Sequence, residues 1–223
     1  MPSKRLGNTV PASHNARVST TRSTLPSERR AHLVHLAGEL FAEKGFRATT
    51  VREIADAAGI LSGSLYHHFD SKESIGDEIL TGFLDDVLAG YRGADADDPR
   101  AAIEQIVRTS SATLTRHRAA LTMLQRDWNH FGAQPRFAYL RDAMREIEKT
   151  WITHLERGKK AGLFRADLDA KLTYRLLRDV LWMPTSWRQG EGGWGTDEVV
   201  DAFLRLLFEG INAPKRRRIT SKN

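Results

Sequence analysis

Six closely spaced residues carry the densest surface chemistry of this 223-residue chain: Ser62, Gly63, Ser64, Tyr66, His67 and His68. Hydroxyl, phenol and imidazole groups can each donate and accept hydrogen bonds, so the run is equipped to read a patterned polar surface. Tyr66, His67 and His68 are consecutive and cannot all face one core. A helix-turn-helix reads bases from the N-terminal part of its second helix, and a polar, aromatic tip after a tight turn has that form. Packing alone would leave the Tyr-His-His edge without a purpose. Thr50, at the start of the preceding helix, and Lys72, a phosphate contact at the start of the following one, complete the surface expected to meet double-stranded DNA.

Three other constellations are candidates for chemistry. Arg178 and Trp182 are four residues apart and so share one helical face, a charge beside an indole, with Arg175 about one turn earlier. If that face lines a cavity walled by Trp151 and Trp187, it suits a ligand with an apolar body and an anionic or carbonyl end. The alternative is an exposed arginine packed on a surface tryptophan. His32, His35 and Glu39 share a face at spacings that metal ligands adopt, but two histidines opposite an apolar stripe read more simply as surface residues. Asp127 and His130 could be drawn into a triad with a nearby hydroxyl, yet nothing in the sequence sets its geometry. No cysteine is present, which excludes disulfides, thiolate zinc sites and a cysteine nucleophile. No catalytic residue, metal or cofactor is assigned, and a metal-dependent or hydrolytic helical enzyme stands only as the rival reading.

The elements that must position these groups are all helical. Thr50-Val51-Arg52-Glu53 has the form of a capping box, Val51, Ile54, Ala55 and Ala58 follow at helical spacing, and Gly59 ends the helix. The second helix, Ser62 to Phe69, keeps Leu65 and Phe69 inward. Before them, Leu33, Leu36, Ala37, Leu40 and Phe41 form the inner stripe of a helix from about Ser27 to Gly45. Residues 27–72 thus read as a three-helix, helix-turn-helix DNA-binding head. From Ser71-Lys72-Glu73, one long helix carrying Ile75, Ile79, Phe83, Leu84, Val87 and Leu88 enters a body spanning 73–212. Further helices are expected at about 100–117, 119–131, 136–161, 168–188 and 196–212, with a kink or early end at Pro184. No segment alternates at period two for long enough to make a strand. The fold class is all-α.

The helices at 168–188 and 196–212 carry more apolar residues than one chain can cover, and a twofold partner is the commonest answer. A charge at Leu177 or Leu207 is therefore expected to break a homodimer or to unfold it. The net charge of +6 divides as +5 in residues 1–30, +5 in residues 213–223 and −4 between them. The basicity belongs to a disordered arm, 1–26, and a basic tail, 213–223, which either add phosphate contacts or serve solubility. No signal-peptide stretch or membrane-length apolar run occurs, so a cytoplasmic location without membrane partners is expected.

Residues Leu40-Phe41-Ala42-Glu43-Lys44-Gly45-Phe46, Thr49, Thr50, Ile54, Ala55, Ala58, Gly59, Gly63, Leu65, Tyr66, His68, Phe69, Ser71, Lys72 and Glu73 together resemble the DNA-binding segment of the TetR family of bacterial transcriptional repressors. Leu61 stands where the family usually has a serine that caps the recognition helix, and Ser62 is expected to cap it instead. The resemblance implies an operator-binding homodimer whose last two helices pair with their copies as a four-helix bundle, released from DNA by a small-molecule effector. The segments Gly59 to Phe69, Gln134-Pro135-Arg136-Phe137 and Arg178-Asp179-Val180-Leu181-Trp182 are similar to those of family members that control bacterial cholesterol-ring breakdown. For that subgroup the effector is an acyl coenzyme A thioester of a steroid-ring fragment, which implies contacts from Arg178 and Trp182. A further arginine of the subgroup is Ser186 here. Lys159 and Lys160 either meet the nucleotide phosphates or form a solvated helix end.

Overall fold

The computed structural model describes residues 26–94, 97–182 and 194–212. Three helices form the head: α1 (Pro26–Lys44), α2 (Val51–Ala57) and α3 (Ser62–Tyr66). Leu33, Ala37 and Phe41 of α1 are fully buried, and Gly45 ends that helix at φ +94, a conformation glycine adopts without steric cost. The capping box of α2 is formed: Thr50 Oγ1 accepts from the Glu53 amide at 3.2 Å, and the Thr50 amide donates to Glu53 Oε2 at 2.8 Å. Hydrogen bonds from Lys44 and Thr50 hold the Glu53 carboxyl down to about 2, well below the usual carboxylate range.

Helix α3 differs from expectation in two respects. It is helical only over Ser62–Tyr66 and unwinds through a turn to Phe69, although Leu65 and Phe69 are both buried as the spacing required. The cap residue is Leu61, which offers no side-chain bond. Ser62 cannot substitute, because it is already the first helical residue and an N-cap must sit in extended backbone one position earlier. A leucine at that place forgoes about 1 kcal/mol of capping stabilisation.

A long helix, α4 (Lys72–Arg92), leads out of the head, started by reciprocal Ser71–Ser74 capping bonds. The body adds α5 (Pro99–Arg116), α6 (Arg118–Gly132), a 3₁₀ turn at Pro135–Phe137, α7 (Tyr139–Lys160), α8 (Ala170–Leu181) and α9 (Thr196–Ile211). The turn at Pro135 takes the place of the first residues of the helix expected from 136. Asp98 and Asp169 cap α5 and α8 through Arg100 N and Leu172 N, each at 2.9 Å. Pro184, Ser186, Trp187 and the rest of the helix expected to 188 lie outside the described residues, as do the arm 1–25 and the tail from 213. Among the described residues there is no strand, and no helix is long and apolar enough to cross a membrane.

The head packs through α1 against α4 and α6, while α5 and α7 form the centre of the body, with α8 on α7 and α9 on α5. One continuous core runs from Phe41 and Phe46 through Phe83 and Ile103 to Trp151 and Phe208. Within it, the Trp151 indole and Ser110 hydroxyl both donate to the Tyr91 phenol oxygen, at 3.2 and 3.1 Å, satisfying polar groups that burial would otherwise penalise.

The outer stripe of α8 is Leu172, Leu176 and Val180, at spacings of four, and all three are exposed; on α9, Leu206 is 74% exposed. Leu177 and Leu207 instead face inward and are buried by their own chain. A charge at either would attack the fold before it attacked an interface, so Leu176 and Leu206 are the positions that probe association.

Candidate nucleic-acid interface

The α2–turn–α3 unit presents its polar residues outward. Gly63, Tyr66 and His67 are exposed, Ser62, Ser64 and His68 are half-buried, and Tyr66 is 55% exposed. All six lie on or just past α3, with Leu65 and Phe69 anchoring the opposite side. Thr50 stands exposed at the N-cap of α2, its hydroxyl proton already given to Glu53 Oε2 at 2.9 Å.

Lys72, expected as a phosphate contact, also serves within the chain. Its ammonium donates to the carbonyls of Phe46 and Thr49, both at 2.8 Å, and of Arg47 at 3.4 Å, and it lies 4.7 Å from the centre of the Phe46 ring. An ammonium has three protons, and all three point at the α1–α2 loop. Lys72 therefore orients the start of α2 from the start of α4.

Two other residues orient the unit, and spacing does not mark either. Arg30 on α1 donates to Glu78 of α4, at 2.6 Å from Nη2, and to the His68 carbonyl at the end of α3, while its guanidinium lies 4.1 Å from the centre of the Phe69 ring. One side chain thus ties the recognition helix to both neighbouring helices. Asp127, where α6 leaves helical geometry, accepts the Phe46 amide at 2.9 Å from Oδ2 and joins head to body. That bond defines Asp127 as a structural acceptor and not a triad member; His130 meets Gln134 at 2.9 Å and packs against Phe46 and Phe131. His32, His35 and Glu39 lie on the exposed side of α1.

At the other end of the molecule, Arg178 sits 5.7 Å over the Tyr174 ring and pairs with Asp179 at 2.7 Å. Trp182 is half-buried, with its ring edge-on to Phe83 of α4 at 6.2 Å and its carbonyl accepting from Gln125. Tyr174, Arg178 and Trp182 therefore form a single face of α8 turned toward α4 and α7. Trp151 belongs to this cluster only from behind. It is buried, its ring is 6.4 Å from Tyr174, and its one polar group is committed to Tyr91. Tyr174, buried as deeply at 2%, packs on it, so Arg178 and Trp182 are the partly exposed members of the cluster. Lys159 pairs with Glu156 at 3.0 Å, and Lys160 is exposed.

With this geometry in place, the comparisons decide the family. A model for bacterial regulatory proteins of the tetR family matches residues 33–79, and a tetracycline-repressor-like C-terminal domain matches residues 96–211. The chain belongs to the TetR family. It is 46% identical over 190 residues to the transcriptional repressor KstR2 of Rhodococcus jostii, covering 84% of this chain and 93% of that protein. It is 41% identical over 187 residues to KstR2 of Mycobacterium tuberculosis, covering 83% and 94%. A solved structure described as the ketosteroid transcriptional regulator KstR2 of M. tuberculosis superposes with a TM-score of 0.80 at 40% identity, covering 86% of this chain and 98% of that one. The protein is thus a TetR-family transcriptional regulator and not an enzyme, of a family that binds DNA as dimers and responds to small molecules.

Gly63 gives a direct test of the TetR-type interface. It lies inside a helix, its φ is not positive, and a Cβ added there would meet nothing within 4 Å. Glycine costs about 1 kcal/mol relative to alanine inside a helix, so the protein itself gains nothing by it. We propose that this open space faces DNA, where close approach favours a missing Cβ. Gly63→Ala is expected to raise the melting temperature by a few degrees, in line with about 0.5–1 kcal/mol. It should also weaken operator binding at least tenfold, about 1.4 kcal/mol. Thermal denaturation and fluorescence anisotropy on labelled DNA check the two halves separately.

Proposed function

We propose that the protein is a dimeric repressor of steroid-catabolic genes, held on its operator by α3 and released by an acyl coenzyme A thioester of a steroid-ring fragment. The observation that carries the effector reading is the Tyr174–Arg178–Trp182 face. It puts the Arg178 guanidinium over the Tyr174 ring, with Trp182 one turn further along against Phe83, a setting suited to an apolar ring system ending in a carbonyl or anionic group. The KstR2 relatives, one of them described as a ketosteroid regulator, support the chemical class.

The same face supports a route for release. Trp182 touches Phe83 on α4, and the first residue of α4, Lys72, grips the α1–α2 loop of the head. A ligand that packs against Trp182 in one placement of α4 and less well in another shifts the population of head spacings. It removes DNA affinity only to the extent of its differential affinity for the two states. Two heads must enter successive major grooves about one helical turn apart, so a small change of spacing is sufficient.

The test titrates operator-bound protein with steroid-ring acyl thioesters, free coenzyme A and the free acid. Arg178→Ala and Trp182→Ala are expected to keep DNA binding; the first should need about ten- to a hundredfold more thioester for release, the value of a lost charged hydrogen bond of about 1.5–3 kcal/mol, and the second should lose the response through the aromatic contact it removes. A wild-type response in the Arg178 variant would place the effector elsewhere. Wild-type protein indifferent to every thioester would leave the repressor without this effector class.

A further inference from the structure

Leu61 is the most exposed large hydrophobic side chain among the described residues, at 80%. It is not a residue of a frayed loop. Its backbone is extended at φ −72 and ψ 144, its carbonyl accepts the Ser64 amide at 2.9 Å, and it is the N-cap of α3. A serine, threonine or aspartate there would satisfy a free amide of the helix, whereas leucine satisfies none and leaves an isobutyl group in water. Two local costs at one position call for an outside partner. The residues around it say where that partner lies: Ser62 and Ser64 supply hydroxyls, Gly63 leaves space for close approach, and Tyr66 stands exposed further along the helix.

The N-terminal end of a recognition helix is the part that reaches base edges in the major groove. The only apolar group those edges offer is the C5-methyl of thymine. We infer that Leu61 is a base-reading residue that packs on a thymine methyl and sets a T·A preference at one position in each half-site. Leu61 then reads the methyl where the adjacent hydroxyls read polar atoms. This rests on the reading of α3 as the DNA-reading helix.

The test begins by selecting operator sequences from a randomised duplex pool with the wild-type protein. Each thymine of the selected site is then replaced by deoxyuracil, which removes the methyl and nothing else. One symmetric pair of positions should be sensitive: wild type loses about fourfold per half-site and about fifteenfold with both replaced, the value of one buried methyl group counted once and twice. Leu61→Ser should bind the thymine site more weakly than wild type and be indifferent to deoxyuracil there. Because serine adds a cap, this variant should melt at or above wild type, so weaker binding would not reflect unfolding. Leu61→Ala, with neither cap nor methyl contact, should show the same indifference. A sharply selected operator with no deoxyuracil position that separates wild type from both variants overturns the role of Leu61 alone. A wild-type protein that selects no sequence overturns the reading of α3, and this inference with it.

Discussion

Tyr66→Ala is expected to lower operator affinity by about thirtyfold or more while leaving helix content and melting temperature unchanged. Tyr66 is the last residue of α3 and 55% exposed, whereas Leu65 beside it is buried and carries the packing. Truncating the ring therefore removes surface chemistry without opening a cavity. A good base-edge or groove contact is worth about 1–3 kcal/mol, and a twofold dimer loses it in both half-sites, about 2–6 kcal/mol in all. The lower end of that range is about thirtyfold. His68→Ala should weaken binding as well, but His68 is half-buried and its ring lies 6.5 Å from Phe69, so part of its effect would come through packing. Gel shift and circular dichroism together decide the matter. Unchanged affinity in Tyr66→Ala would sink the assignment of α3 as the reading helix.

What the sequence discloses depends on how far apart the interacting residues lie. The limits of α2 are legible because its cap, Thr50 with Glu53, closes over three residues and its stop, Gly59, is a property of one residue's φ. Leu65 and Phe69 are legible as i and i+4. Other positioning interactions cross long stretches of chain: Arg30 reaches 38 and 48 residues to His68 and Glu78, Lys72 reaches back 26 to Phe46, and Asp127 reaches 81. No periodicity encodes such pairs, which is why the bonds of Lys72 to the α1–α2 loop go unread and Asp127 reads as a possible triad member until the helices are docked. Trp151 shows the same limit, since its partner Tyr91 is 60 residues away. The apolar excess of α8 and α9 is visible in composition, but which stripe each helix spends on its own core is set by how it leans on α7 and α5.

That distinction gives the second large effect. Leu206→Glu, alone or with Leu176→Glu, is expected to convert a dimer into a folded monomer at low micromolar concentration. A single exposed leucine that carries no second local cost is ordinary on a protein surface. Here Leu172, Leu176 and Val180 follow one another along α8 at 57, 61 and 51% exposure, and Leu206 at 74% lies on α9, in a family whose regulators bind DNA as dimers. In a twofold interface each substitution occurs twice. Burial of a leucine is worth about 1.5–3 kcal/mol, so one position forfeits about 3–6 kcal/mol, before the several kcal/mol needed to desolvate each introduced carboxylate. The weakening of the dimer should therefore exceed a hundredfold. The monomer should keep its helical spectrum, because Leu206 contributes little to its own core, whereas Leu207→Glu, at a position 6% exposed, should unfold the chain. Sedimentation analysis distinguishes the outcomes: a wild type that sediments as a monomer at these concentrations would count directly against the interface. Operator affinity offers a second reading of the same event. A head released from its partner contacts one half-site only, so Leu206→Glu should lose specific DNA binding while every residue of α3 remains in place.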